Sequence, residues 1–313
     1  MDKSYAAQNR DRQVDVSQQS YRYYRNAVER HWDPYDIDFS EDADRIIEMV
    51  DEWGVASLER LRGSLRAFGA GEEAVTEDLV PLAHSMNRIE DEMFLTTQMY
   101  EEAKHTDLFD RYWSEVIHDV EGRLGLERSS ITDFEDYNED YFELFERNER
   151  AQNRLLEENT PLNRAKALAH YHLVIEGIAA QTGYFALHSL YGSDQVPEMP
   201  VLPGFAEGFS KIRRDEGRHV GFGMWKLKQM VSSGEVDPQE LHSVVNDLVP
   251  LVKSITAPEE IDPSFEELPS LDPEVIREYA TSKHMTRMQQ IVNASEEIPD
   301  VDELTRIEPV SGD

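Results

Sequence analysis

The chain has 313 residues, 64 acidic against 31 basic, a net charge of −33, 39% apolar residues and no cysteine. That length and apolar share can bury a sizeable core, while the charge repels phosphate backbones and excludes direct nucleic-acid binding. Without cysteine there are no disulfides, thiolate metal sites or cysteine nucleophiles, so any metal must sit on carboxylates and imidazoles.

Residues 1–40 read as a polar, tyrosine-rich arm (Tyr21, Tyr23, Tyr24) ending in WDPYDIDF, where Pro34 and the aspartates oppose regular structure. Such an arm is either mobile or ordered against a dimer partner. Helical periodicity follows over 41–52, 55–84, 87–120, 133–157, 161–191, 204–232, 238–256 and 273–292. The breaks carry breaker chemistry: GSDQVPEMPVLPG at 192–204, and Pro258, Pro263, Pro269 and Pro273 in the acidic connector 256–273. Nothing alternates with period two, so the fold class is all-α. The expected divisions are an arm over 1–40, a helical domain over 41–292 and a frayed acidic tail over 293–313. No apolar run approaches the ~18 residues of a membrane span, and the N-terminus is polar, so a cytoplasmic protein without a membrane span is expected.

Basic residues divide into 8 lysines and 23 arginines, and the acids spread along the whole chain. Such a surface repels itself at ordinary ionic strength, whereas molar salt shortens the screening length to about 3 Å. A salt-adapted intracellular protein is the expectation, with an acidic protein of an ordinary cytoplasm as the alternative.

Four of the helices share a feature. The stripe Leu61, Leu65, Phe68, Val75, Leu79, Leu82 is interrupted by Glu72; Leu95, Phe109, Tyr112, Val116 by Glu102 and His105; Ala169, Leu173, Ala180, Gly183, Leu187, Leu190 by Glu176; and Phe205, Phe209, Ile212, Gly223, Leu227, Met230 by Glu216 and His219. Steps of three and four keep each set on one helix face. A buried carboxylate costs several kcal/mol unless it is paired or bound to a cation. Two divalent ions would balance four glutamates. One Glu from each of two helices plus Glu-x-x-His from each of the other two is the ligand set of ferritin-like di-iron and di-manganese bundles, and carboxylate oxygen with imidazole suits manganese and iron. A third Glu-x-x-His, Glu115 with His118, lies about 220° round the helix from Glu102 and faces away. Glu73 and Glu101 fall off the stripes, as solvated residues or as supports to the ligands. His170 and His172 are either packing residues or partners of the ligand shell. Gly69 and Gly71 mark either close packing or a helix break before Glu72.

The segments WDPYDIDF (32–39), AGEEAVTEDL (70–79), DEMFLTTQMYEEAKHT (91–106), YHLVIEGIAAQTGYFA (171–186) and DEGRHVGFG (215–223) resemble the ribonucleotide-reductase small-subunit-like ligand-binding oxidases over about residues 30–290. The resemblance implies a homodimer, a manganese–iron pair that activates O2, and a long-chain fatty acid bound at the metals. It carries the metal ligands onto Glu72, Glu102, His105, Glu176, Glu216 and His219, and an oxidatively formed ether cross-link onto Val75 and Tyr171. Tyr171 precedes Glu176 by five residues, about 140° from the ligand face of an ideal helix, so either its side chain reaches across or the helix is locally distorted.

The rivals are a true ribonucleotide reductase small subunit, an acyl-carrier desaturase or arylamine oxygenase, a ferritin-type iron store, and a purely structural metal site. Phe109 stands where tyrosyl-radical small subunits place their tyrosine, which excludes that branch; manganese–iron reductase subunits also carry phenylalanine there.

Overall fold

A computed structural model of the chain describes residues 14–133, 138–258, 262–293, 295–304 and 306. All regular structure among them is helical: α1 (Gln19–Glu29), α2 (Asp42–Trp53), α3 (Val55–Ser85), α4 (Ile89–Tyr112), α5 (His118–Leu124), α6 (Glu139–Glu157), α7 (Pro161–Leu168), α8 (Gln181–Tyr191), α9 (Pro203–Ser232), α10 (Pro238–Thr256), α11 (Pro273–Val292) and α12 (Val301–Leu304), with short 3₁₀ turns at Pro34–Asp36 and Pro263–Phe265. Starts carry the expected caps. The side chains of Asn138, Thr160, Asp237 and Asp272 accept backbone N–H bonds at the first turns of α6, α7, α10 and α11, the last three ahead of a first-turn proline.

Two helices change register without breaking. α4 passes through a π-helical turn, Trp113–Ile117, into α5, and α7 passes through a longer π-helical segment, Ala169–Ala180, into α8. Gly69 and Gly71 lie inside an unbroken α3, which settles the choice between packing and break. A Cβ at Gly69 would come within 2.7 Å of Ile131 Cδ1, and one at Gly71 within 3.3 Å of Phe145, so packing fixes both.

The structure corrects the two ends of the sequence reading. Residues 19–29 are helical, and α1 lies on α4 and α9 of its own chain. Ser20, Tyr23 and Ala27 are its buried residues, with the Tyr23 ring 5.8 Å from Phe94. That face holds one large side chain, too weak an apolar period to stand out. Near the other end, Val301 and Leu304 are buried and Asp302 pairs with Arg30 at 2.6 Å, so this part of the tail is docked. Residues 1–13 of the expected arm, and residues 294, 305 and 307–313 of the tail, lie outside the described residues.

The interior falls into two apolar clusters separated by a polar layer. Along α3, Leu58, Leu61 and Leu65 belong to one cluster and Val75, Leu79 and Leu82 to the other; α4 divides between Phe94 and Leu108, and α9 between Ile212 and Val220. The layer between them is where the four stripe glutamates fall.

Candidate metal centre

Glu72, Glu102, His105, Glu176, Glu216 and His219 are all buried and converge in two overlapping groups. Ligand atoms of Glu72, Glu102, His105 and Glu216 lie within 4.8 Å of one another, as do those of Glu102, Glu176, Glu216 and His219. Glu102 and Glu216 belong to both groups, the placement of bridging carboxylates. His105 Nδ1 is 3.2 Å from Glu102 Oε2, 3.3 Å from Glu72 Oε2 and 3.6 Å from Glu216 Oε1. His219 Nδ1 mirrors it, at 3.1 Å from Glu102 Oε1 and 3.3 Å from Glu176 Oε1.

Several polar atoms in this cluster are buried without a well-formed hydrogen bond: Glu176 Oε2, Glu216 Oε2 and His219 Nδ1, the last facing only carboxylate oxygens. Each would be costly between the two apolar clusters without a cation to meet it. Oxygen and imidazole donors around two shared carboxylates fit a pair of divalent first-row ions. Without cations, burial pushes the Glu72 carboxyl up to about 8, against the pull of His105 and helped by the charges of Glu102 and Glu216. Burial also raises Glu176 and Glu216. It opposes ionisation of Glu102 as well, but His219 and His105 outweigh it and hold that carboxyl well below its usual range. Without cations, burial thus disfavours the charged form of three of the four carboxylates.

The helices that supply the histidines also orient them, crosswise. His105 of α4 meets Asp215 of α9 through Nε2 at 3.2 Å, and His219 of α9 meets Glu101 of α4 at 2.9 Å. A carboxylate behind a histidine fixes its tautomer and leaves the other nitrogen for a metal. Arg218, fully buried, bonds both Asp215 and Glu101, while Lys104 and Trp32 Nε1 reach Asp215 Oδ2 at 3.1 and 2.8 Å. Burial opposes the charge on Asp215, but the His105 hydrogen bond and the charges of Arg218 and Lys104 hold its carboxyl far below the usual range. Of the two off-stripe acids, Glu101 thus supports His219, and Glu73 is exposed. Sequence reading missed Asp215, Lys104, Arg218 and Trp32. The signal was present in EEAKH and DEGRH: both motifs carry a leading acid and a cation just before the histidine.

On the opposite side Gln98 donates to Glu176 Oε1 at 2.9 Å and meets His172 Nε2 at 3.1 Å through its own oxygen, so His172 supports the shell. His170 bonds the Lys166 carbonyl within its own helix. Glu115, exposed, pairs with Arg111 and His118 meets the Ser129 carbonyl, both away from the cluster.

The π-helical segment resolves the placement of Tyr171. Its i→i+5 bonding brings Tyr171 and Glu176 toward one face, and the Tyr171 hydroxyl donates to Glu102 Oε1 at 2.7 Å. Tyr171 and Val75 line the same cavity of about 270 Å3, into which Glu72, Glu102, Glu176 and Glu216 also face. Its remaining walls are mostly apolar or small, among them Ala67, Phe68, Leu144, Phe145, Ile175 and Leu187. Phe109 packs against Phe68 and Phe209 instead, with ring centroids 6.0 and 5.6 Å away.

Glutamates from four helices, two of them followed by histidine a turn later, define a ferritin-like carboxylate bundle built to hold two metals. More particularly, the chain belongs to the ribonucleotide reductase small-chain family, whose model matches residues 16–291. Among solved structures it is similar to a valine-to-leucine variant of an R2-like ligand-binding oxidase with an anaerobically reconstituted Mn/Fe cofactor, at 27% identity over 88% of this chain and 94% of that one, TM-score 0.72. A glycine-to-phenylalanine variant under the same description matches at 27% identity over 90% and 96%, TM-score 0.71. No helix among the described residues is long and apolar enough to cross a membrane.

Proposed function

We propose that this chain is an oxygen-activating, ligand-binding oxidase whose cluster holds one manganese and one iron, with Glu72, Glu102, His105, Glu176, Glu216 and His219 as ligands. The observation that carries this reading is the pair of ligand groups sharing Glu102 and Glu216, facing a largely apolar cavity. When bound, the metal pair supplies the reduction of dioxygen and an oxidising equivalent strong enough to remove hydrogen from carbon.

The chain's own residues do the rest. Asp215 and Glu101 hold the two imidazoles with Nδ1 facing inward. Gln98 and Tyr171 donate to Glu176 and Glu102, limiting how far those carboxylates swing. The apolar wall excludes water from the reacting side. The reading includes an acyl ligand of the long-chain fatty-acid class, its carboxylate toward the cluster and its chain along the largely apolar wall. Val75 and Tyr171 face the same space, and loss of the Val75 Cβ hydrogen and the Tyr171 hydroxyl hydrogen, two electrons and two protons passing to dioxygen, would leave an ether bond. A homodimer, as in the family resembled, and salt adaptation complete the reading.

Elemental analysis tests the ligand set: Glu102→Ala and Glu216→Ala should each lose at least one metal per chain, and full two-metal occupancy in both would refute the assignment. Peptide mapping after aerobic loading with reduced Mn and Fe should show a Val75–Tyr171 pair lighter by two hydrogens, absent from Tyr171→Phe. The reductase small-subunit alternative predicts nucleotide reduction with a catalytic reductase subunit; robust turnover would establish it in place of this reading.

A further inference from the structure

The cavity has a second polar end. Arg60, Ser64, Phe68, Gly71 and Glu72 line it from α3, and Glu176, Gly183, Leu187 and Leu190 from the helix that runs through the π-helical segment into α8. The two walls run antiparallel. Glu72 meets the Tyr184 hydroxyl at 3.4 Å, the Phe68 ring lies against Gly183 and Tyr184, and Arg60 lies beside Tyr191. The metal cluster is therefore toward one end and Arg60 at the other, twelve residues or about 18 Å along α3.

Arg60 is unlike the other arginines of its helix. Arg62 pairs with Glu59 and Glu121, and Arg66 with Asp133 at 4.0 Å. Arg60 has no carboxylate partner among the described residues; Nη1 donates to the Pro269 carbonyl at 2.8 Å and Nη2 lies 3.6 Å from Met199 Sδ. Its Nε is buried without a well-formed hydrogen bond, as is the Tyr191 hydroxyl, and the two side chains face each other at this end of the cavity. In a chain with 64 acidic residues, a half-buried cation without a carboxylate partner stands out at the end of a largely apolar cavity.

We propose that Arg60 recognises a second acceptor group, so that the cavity takes an α,ω-bifunctional acyl chain, a long dicarboxylate, instead of a simple fatty acid. One carboxylate lies toward the cluster and the other accepts from Arg60 Nε, with the Tyr191 hydroxyl beside it. A polymethylene chain advances about 1.25 Å per carbon–carbon bond, so the span between the ends suits about a dozen to fourteen carbons. The inference rests on reading the cavity as an acyl-ligand site and involves binding alone.

The test uses the Mn/Fe-loaded full chain, stripped of copurifying lipid and titrated calorimetrically with tetradecanedioic, tetradecanoic and decanedioic acids. A charge-assisted hydrogen bond in a buried site should make the long diacid bind about tenfold tighter than the monoacid. Decanedioic acid, too short to reach both ends, should show no such gain. Arg60→Gln should bring the diacid-to-monoacid ratio to about one with monoacid affinity retained, and Arg60→Lys should keep part of the preference. Equal or weaker binding of the long diacid by the native chain overturns the proposal whether or not the variants fold, as does a preference that survives Arg60→Gln. Tight monoacid binding without diacid preference removes Arg60's role and leaves the acyl-ligand reading standing; no binding of either acid removes both.

Discussion

His172 shows what burial does to a single side chain. Enclosure, reinforced by the nearby charge of His219, pushes its imidazole down to about 3. It is therefore neutral at ordinary pH and donates from Nε2 to Gln98. In the unfolded chain the same ring takes up a proton near 6.5. Above that value it adds no pH dependence; as pH falls from 6.5 toward 3 the unfolded state gains a proton that the native state refuses. Stability should drop by up to about 1.4 kcal/mol per pH unit from this group alone. Urea unfolding of the metal-free protein at stepped pH should show that slope flatten in His172→Gln, and identical slopes would contradict it. The sequence left His172 between packing and support because its spacing from Glu176 does not show which neighbour it meets. The six stripe residues were legible because a charge on an apolar face is itself the signal, whereas Trp32 and Asp215 join the site only through a contact between segments 183 residues apart.

At the level of elements, the contact between α9 and the π-helical segment sets the geometry of the Glu176 side. A Cβ on Gly223 would fall 2.2 Å from His172 Cβ, too close to the backbone for a rotamer change to relieve. Gly223→Ala should therefore cost about 3 kcal/mol or more, the upper end of overpacking, and loosen metal at the Glu176 group. Gly63→Ala, with nothing within 4 Å of the added methyl, should instead stabilise α3 by about 0.5–1 kcal/mol. Denaturant titration of the two variants checks both signs; equal effects would contradict the packing account. Most helix ends followed from periodicity to within a few residues because long amphipathic stripes dominate, but the helix expected from 133 begins at Glu139, with 134–137 outside the described residues. The π-helical segment was visible only indirectly, in the misplacement of Tyr171 on an ideal helix, since i→i+5 bonding leaves no compositional mark.

For the molecule as a whole, the charge is the controlling feature. Several exposed arginines pair with acids within a turn along the chain, as Arg154 does with Glu157 and Glu158, yet the net charge remains −33. Raising KCl from about 0.1 M to about 2 M should weaken local pairs slightly and long-range repulsion more, because the screening length falls below the spacing of most surface charges. The thermal midpoint should rise by roughly 5 °C; a flat or falling midpoint would contradict salt adaptation. The all-α class was legible from the chain's length, its stripes and its lack of period-two alternation. The docking of α1 and α12 was not, because each is held by only two or three buried side chains.

The crossed pairing of α4 and α9 constrains how the centre can be filled in time. Glu102 and His105 leave the ribosome more than a hundred residues before Asp215 and Glu216 exist. At ordinary elongation rates that gap is on the order of ten seconds, during which His105 has no orienting carboxylate and Glu102 no counterpart across the layer. His219, in turn, has its support waiting on the earlier helix. Neither metal position can therefore be completed before α9 has been made. The ions must enter after that point, and the supply of manganese relative to iron then, not earlier in translation, decides which metals are captured.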